Sequence, residues 1–236
     1  MTHIRTARLS GVGVGPGDPE LLTLKAVRLI HGADVVFAPV RRPGDRSLSL
    51  EIVAEHVDGR RQRVVTVPFP ESQDGESWES AAAHVAEELG TDRHGVFLTE
   101  GDPLLFGSFG HVAAIVRTLR PDLEIEIVPG VSSVTAAAAA AGVALADYQD
   151  RLAVVPATAP HDQIERALVD FECVVLLKVG RVLGELLALL ERLGLVERTV
   201  YVRRCGWPDQ QVVTDVRALI PSPPRDYFAL LIVRRR

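Results

Sequence analysis

The chain has 236 residues, 47% of them hydrophobic and 24% charged, with a formal net charge of −5. That is enough chain for one large domain or two small ones, and the charge balance gives no basic field of the kind that holds nucleic acid. Arginines gather only locally, at Arg41, Arg42 and Arg46, at Arg203 and Arg204, and at 234–236, where the run reads as a solvated tail. The two cysteines, Cys173 and Cys205, make neither a disulfide framework nor a zinc spacing, and Cys173 sits in an apolar run that reads as core. The N-terminus lacks the long apolar segment of a signal peptide. No apolar stretch reaches the ~18 residues of a membrane span, so a cytoplasmic protein is expected.

In chain order, residues 8–14 read as a strand that runs into Gly15-Pro16-Gly17-Asp18-Pro19. Asp18 is placed to cap a helix with Pro19 at its first position, and Leu21, Leu22, Leu24, Val27, Leu29 and Ile30 supply its apolar face. A strand follows at 34–38, which makes a β-α-β unit with parallel strands. The alternation continues with a helix from Ser47 to Val57, a strand at 63–67, a helix at 77–89 and a strand at 95–98. A helix at 108–119 capped by Ser108, a strand at 124–128 and an alanine-rich helix from about Ser132 complete this half. Near-continuous apolar strands alternating with helices imply a parallel sheet covered on both faces.

Residues 143–151 break the apolar pattern, so two domains are expected, 1–145 and 146–236. The second begins with strand 152–155, helix 161–170, strand 172–177 and helix 182–193. Strands at 199–203, 210–214 and 227–233 then follow without long helices, and Asp209-Gln210 is placed to turn a hairpin. The fold class is therefore α/β, with a mainly parallel N-terminal sheet and a mixed C-terminal one.

Three glycine turns follow strands, and two of them contain Gly-Asp-Pro: 17–19 and 101–103; the third is Val128-Pro129-Gly130-Val131-Ser132-Ser133. Loops of this kind at strand ends suggest a small-molecule pocket built largely from main chain. They are acidic or neutral, which argues against a phosphate. Gly11 and Gly13 begin a dinucleotide fingerprint, but Pro16 stands where its third glycine belongs and removes a backbone donor. Glu100 and Asp102 would suit a hydroxyl, an amine or a cation. Asp102 alternatively closes an Asx turn on its own loop, and Ser132 and Ser133 alternatively cap the next helix. None of the seven histidines pairs with another at metal-ligand spacing, and no metal is expected. There is no nucleophile elbow and no cysteine–histidine signature.

Taken together, GVGVGPGDPELLTLKA at 11–26, ADVVFAP at 33–39, TEGDPLLFGSF at 99–109 and VPGVSSVTAAAAAAG at 128–142 resemble the tetrapyrrole (corrin/porphyrin) methylases. LAVVPAT at 152–158, VVLLKVGR at 174–181 and DYFALLIVRR at 226–235 extend the likeness over nearly the whole chain. Within the family these segments look most like the subgroup that methylates precorrin-2 at C-20 in cobalamin synthesis. The resemblance implies two α/β domains with a cofactor trough between them, S-adenosylmethionine as methyl donor, and a homodimer. It implies cofactor contacts at Pro16, at Glu100, Gly101, Asp102 and Leu105, at Ser132 and Ser133, at Lys178 and Val179, and at Ala229. Two positions depart from the subgroup pattern, Phe106 where tyrosine is common and Gly107 in place of a serine.

The activity so implied is direct methyl transfer to an electron-rich meso carbon of the reduced macrocycle, which gives precorrin-3A. The ring carbon is itself the nucleophile, so the enzyme's work is positioning. Asp102 and Glu100 are among the candidates for any base. The substrate carries many carboxylates, and Arg41, Arg42, Arg46, Lys178, Arg181 and Arg203 are candidates to bind them. Alternatives are the cobalt-containing macrocycle, another ring position, or uroporphyrinogen-III. Diphthine synthesis and ribosomal RNA methylation share the architecture, and a non-catalytic nucleotide-binding module is the rival from another class.

Overall fold

The computed structural model describes residues 7–69, 75–219 and 227–235. His3, Asp226 and Arg236 lie outside them. The chain divides into two compact units, Met1–Ser132 and Ser133–Arg236, so the alanine-rich helix belongs with the second unit, whereas the expected boundary was at 145/146.

Unit 1 alternates as the apolar runs predict: β1 (Arg8–Gly13), α1 (Leu24–Gly32), β2 (Val35–Val40), α2 (Leu48–Ile52), β3 (Arg63–Pro68), α3 (Gly75–Leu89), β4 (His94–Thr99), α4 (Phe109–Leu119) and β5 (Glu124–Val128). The strands form one sheet in the order β3-β2-β4-β1-β5, and every pairing is parallel. The interior strands β1, β2 and β4 are almost wholly buried, which is why apolar residues and glycine dominate their sequences. On one face Phe37, Phe97, Phe109, Val112 and Val116 pack with Val85 and Leu89. Gly11 makes room for this layer. A Cβ there would lie 2.1 Å from the Phe109 ring, so its lack of a side chain is what lets α4 approach β1.

Three local readings need correction. Asp18 does not start a long helix. Its carboxylate accepts from the Glu20 amide and closes a 3-10 turn at Pro19–Leu21; Leu22 is then extended, and Thr23 caps α1 by accepting from Ala26. Leu24 consequently lies outside the apolar face and is exposed. Ser47 does cap α2, but the helix ends at Ile52 and a separate 3-10 turn spans Ala54–His56. The buried β-branched pair Ile52 and Val53 sits at the break. Ser108 occupies the cap position of α4 without a side-chain cap bond, because its backbone is already helical.

Unit 2 contains α5 (Ser133–Ala141), β6 (Leu152–Pro156), α6 (His161–Asp170), β7 (Cys173–Leu177), α7 (Leu183–Arg192), β8 (Thr199–Arg203), β9 (Gln211–Val213) and β10 (Ala229–Arg234). Its sheet has the order β6-β7-β10-β8-β9, with β6 and β7 parallel and the remaining pairs antiparallel. The mixed sheet is therefore as expected. The hairpin is present too, with Arg203 opposite Gln211. Its loop is wider than an Asp209-Gln210 turn: Gly206 donates to the Gln210 side chain, and Arg204 donates to Asp209. Both cysteines are buried and neither is in a disulfide.

At the amino edge of the first sheet, His94 is held by the side chain of Ser10 at 3.1 Å, while its amide donates to Asp34. Burial keeps the His94 imidazole below its usual pKa, assisted by the charge of Arg8. The unfolded chain therefore takes up this proton first as pH falls through about 6.5, and the folded state loses stability over that window and below it. Thermal melts between pH 7.5 and 5.5 should show a falling Tm, and His94→Gln should flatten that slope.

Candidate active site

Because all five strands of unit 1 are parallel, their carboxyl ends share one edge of the sheet. From it leave the loops that carry Pro16, then Arg41, Arg42 and Arg46, then Glu100 to Leu105, and then Gly130 to Ser132. In open α/β sheets this is the edge where ligands bind.

The loops after β1, β4 and β5 are locked together, main chain to main chain. Gly15 and Gly101 form an isolated antiparallel bridge, with the Gly101 amide donating to the Gly15 carbonyl at 2.8 Å and the reverse bond at 3.3 Å. Both have positive φ, +79° and +67°, which glycine adopts without strain. A Cβ on Gly130 would stand 2.1 Å from the Gly101 carbonyl oxygen, and one on Gly13 would stand 2.6 Å from that oxygen and from the Gly130 Cα. These glycines serve the approach of loop to loop. The sequence places Gly13 in a partial dinucleotide fingerprint and Gly130 in a turn; the pattern of glycine at three strand ends is the signal for their shared role. Beside the lock, the buried Thr99 hydroxyl has no hydrogen-bond partner among the described residues.

The two Gly-Asp-Pro copies do different work. Asp18 only closes the 3-10 turn. Asp102 accepts from the Leu104 amide at 2.9 Å, which is the Asx turn, and its other oxygen accepts from the Gly130 amide at 3.1 Å, which ties the β4 loop to the β5 loop. Glu100 points elsewhere. Its carboxylate accepts from the Ser49 amide of α2 at 2.9 Å, and desolvation raises its pKa above the usual carboxylate range.

Leu104, Leu105 and Phe106 project exposed apolar surface after this loop, and Phe106 adopts φ +56°. The glycine at 107 has a steric reason: a Cβ would lie 2.6 Å from the Pro103 carbonyl oxygen. Arg41 and Arg42 are exposed, and Arg46 pairs with Glu51 at 2.8 Å. Ser132 ends unit 1 and Ser133 opens α5.

Unit 2 gathers its own candidates at one end of its sheet. Leu177, which precedes Lys178, pairs with Leu230, and Ala229 pairs with Arg203. Lys178 adopts the left-handed conformation at φ +61°, starts a 3-10 turn at Val179–Arg181, and sets its ammonium 5.7 Å from the centre of the Tyr227 ring. Val179 and Ala229 are buried, so what they offer a ligand is main chain; Arg181 is exposed. Arg203 lies 3.7 Å from Asp209, which also holds Arg204.

A parallel sheet whose carboxyl edge carries interlocked glycine loops, in a chain with a second, mixed sheet, defines a two-unit α/β protein. Residues 8–220 match the Tetrapyrrole (Corrin/Porphyrin) Methylases, and the chain belongs to that family, whose methyl donor is S-adenosylmethionine. It is 33% identical to the cobalt-precorrin-2 C(20)-methyltransferase of Salmonella typhimurium over 97% of each chain. It is 32% identical to the precorrin-2 C(20)-methyltransferase of a Sinorhizobium species over 99% of this chain and 97% of that one. Among solved structures, the uroporphyrin-III C-methyltransferase of Thermus thermophilus, complexed with S-adenosyl homocysteine, superposes with a TM-score of 0.69 at 27% identity, covering 96% of this chain and 97% of that one. The expected family and the two-part α/β fold therefore stand.

Gly130→Ala should cost about 1–3 kcal/mol through overpacking at the lock, and Asp102→Ala about 2–4 kcal/mol through two lost charge-assisted bonds. Gly32→Ala, where a Cβ meets nothing within 4 Å, should be neutral or stabilising. Denaturant melts of the three variants check the ranking.

Proposed function

We propose that this protein methylates precorrin-2, or its cobalt-containing form, at the C-20 meso carbon, as a step of cobalamin synthesis. The observation that carries the reading is the carboxyl edge of unit 1. Its three interlocked loops contain Asp18, Glu100 and Asp102 and no lysine or arginine. Loops without a basic side chain fit a cationic sulfonium donor better than a phosphate. The choice of C-20 is supported by the likeness, over nearly the full length, to two methyltransferases named for that position. A cobalt-precorrin-4 C(11)-methyltransferase of Priestia megaterium is also similar, at 29% identity over 86% of this chain, so the ring position is the point to test.

S-adenosylmethionine, when bound, supplies a methyl group activated by its sulfonium charge. In this reading its contacts are Pro16, Gly101, Asp102, Leu105 and Ser132 of unit 1, and Ser133, Lys178, Val179 and Ala229 of unit 2. Glu100 belongs to the same loop, and its carboxylate accepts from the Ser49 amide, which anchors α2 to the end of β4. Asp102 keeps the loop closed through the Gly130 amide. The exposed guanidinium groups of Arg41, Arg42 and Arg181 offer forks to the carboxylates at the rim of the macrocycle. Arg46, which pairs with Glu51, and Arg203, near Asp209, are further candidates. A cytoplasmic homodimer belongs to the same reading; no described helix is long and apolar enough to cross a membrane.

Incubation with S-adenosylmethionine carrying a 13C-methyl group and with each macrocycle in turn, followed by mass spectrometry and NMR, tests the activity. One methyl at C-20 is the expected product. A methyl at another ring carbon, or cofactor binding without turnover, overturns the reading. The doubly charge-reversed variant Arg41→Glu/Arg42→Glu should raise KM for the macrocycle about tenfold, equivalent to ~1.4 kcal/mol, with cofactor Kd unchanged. Light scattering that finds only monomer would count against the dimer.

A further inference from the structure

We infer that His31 and His56 form a two-imidazole site for a divalent late transition-metal ion, on unit 1 and apart from the loops described above. The two residues are far apart in sequence and the fold brings them together. His31 lies in the last turn of α1, and His56 closes the 3-10 turn Ala54–His56. Nδ1 of His56 faces Nε2 of His31 at 3.2 Å, and the rings are tilted by 55° with centres 5.2 Å apart. Two nitrogens bound to one tetrahedral ion at ~2.0–2.1 Å stand about 3.3 Å from each other. The pair therefore already has the separation of two ligands on one ion, without movement of the backbone.

Three features make this more than a chance approach. Gln62 is buried; its amide donates to the carbonyls of Ile30 and Ala33, and its oxygen accepts from the Asp58 amide. This clamp ties the segment just after His56 to the end of α1 that carries His31. That end presents the last carbonyls of a nine-residue helix, whose dipole favours a cation. His31 is exposed and His56 half-buried, so an ion can enter with its waters.

In the metal-free state the facing nitrogens share one proton in their hydrogen bond. With an ion between them both facing lone pairs coordinate, and the protons reside on His31 Nδ1 and His56 Nε2. When both imidazoles are neutral, this exchange moves a proton from one ring nitrogen to another and releases none. No group of three His, Cys, Asp or Glu gathers among the described residues, so water completes the coordination sphere and the bound ion exchanges freely. Imidazole ligands without thiolate or carboxylate select Cu2+ first, with Ni2+ and Zn2+ weaker.

The test is calorimetric titration of the full, untagged chain at pH 7.5 with NiCl2, ZnCl2 and CuCl2 in turn. One ion per chain is expected, bound at least about tenfold more weakly after His31→Ala. His56→Phe keeps the ring packing and removes the nitrogen, and it should do the same. His161→Ala, an exposed histidine of unit 2, should change nothing. Added metal should raise the Tm of the parent chain and leave that of His56→Phe unmoved. Binding that survives both substitutions, falls equally with His161→Ala, or is absent from the parent chain overturns the inference. None of these readouts depends on methyl transfer.

Discussion

The contact on which unit 1 depends is between bare backbones. Gly13, Gly101 and Gly130 meet where no side chain fits, and the Asp102 carboxylate bridges the loops on either side. Three strand ends that would otherwise splay are thus held as one surface. Their polar groups are largely satisfied by one another, through the Gly15–Gly101 bridge and the bonds of Val14 to Thr99 and Leu104 to Asp102. A surface made this way is preorganised, because little loop entropy remains to be lost when a small molecule binds. It also leaves the side chains that do project, Leu104, Leu105 and Phe106, on a base that cannot yield easily.

Most of the architecture was legible because burial on both faces leaves a plain signature. β2 and β7 are continuous apolar runs, β1 and β4 are mostly apolar or glycine, and the helices between them carry periodic apolar faces. The errors lie at helix ends. Where two local hydrogen-bonding devices compete within a few residues, the sequence does not rank them. Asp18 and Thr23 are both good caps, and the structure uses both, so one long helix becomes a turn and a shorter helix. Ser108 has the right chemistry for a cap, but its backbone is already helical.

The site was legible at the level of loops and less so at the level of roles. Asp102 was read either as facing a ligand or as closing an Asx turn; one oxygen does make the turn, and the other reaches a loop 28 residues away. The partner of Glu100, the Ser49 amide, is main chain and leaves no mark in the sequence. The His31–His56 contact was illegible for a similar reason: it arises from how α1 meets the following 3-10 turn, not from any spacing. Long-range partners of this kind are set by packing, and a reading by periodicity sees only neighbours.

The strand order of unit 2 has a consequence for how the chain is made. β10 is the latest of the described strands to be synthesised, yet it lies between β7 and β8 and pairs with both. Until it leaves the ribosome, the β6–β7 pair and the β8–β9 hairpin have no shared partner, and their apolar edges stay open. Unit 1 has all its strands well before that moment. The nascent protein therefore spends an interval half folded, with exposed strand edges that are prone to wrong pairing. The order of synthesis, and not only the stability of the finished sheet, then bears on how the second unit assembles.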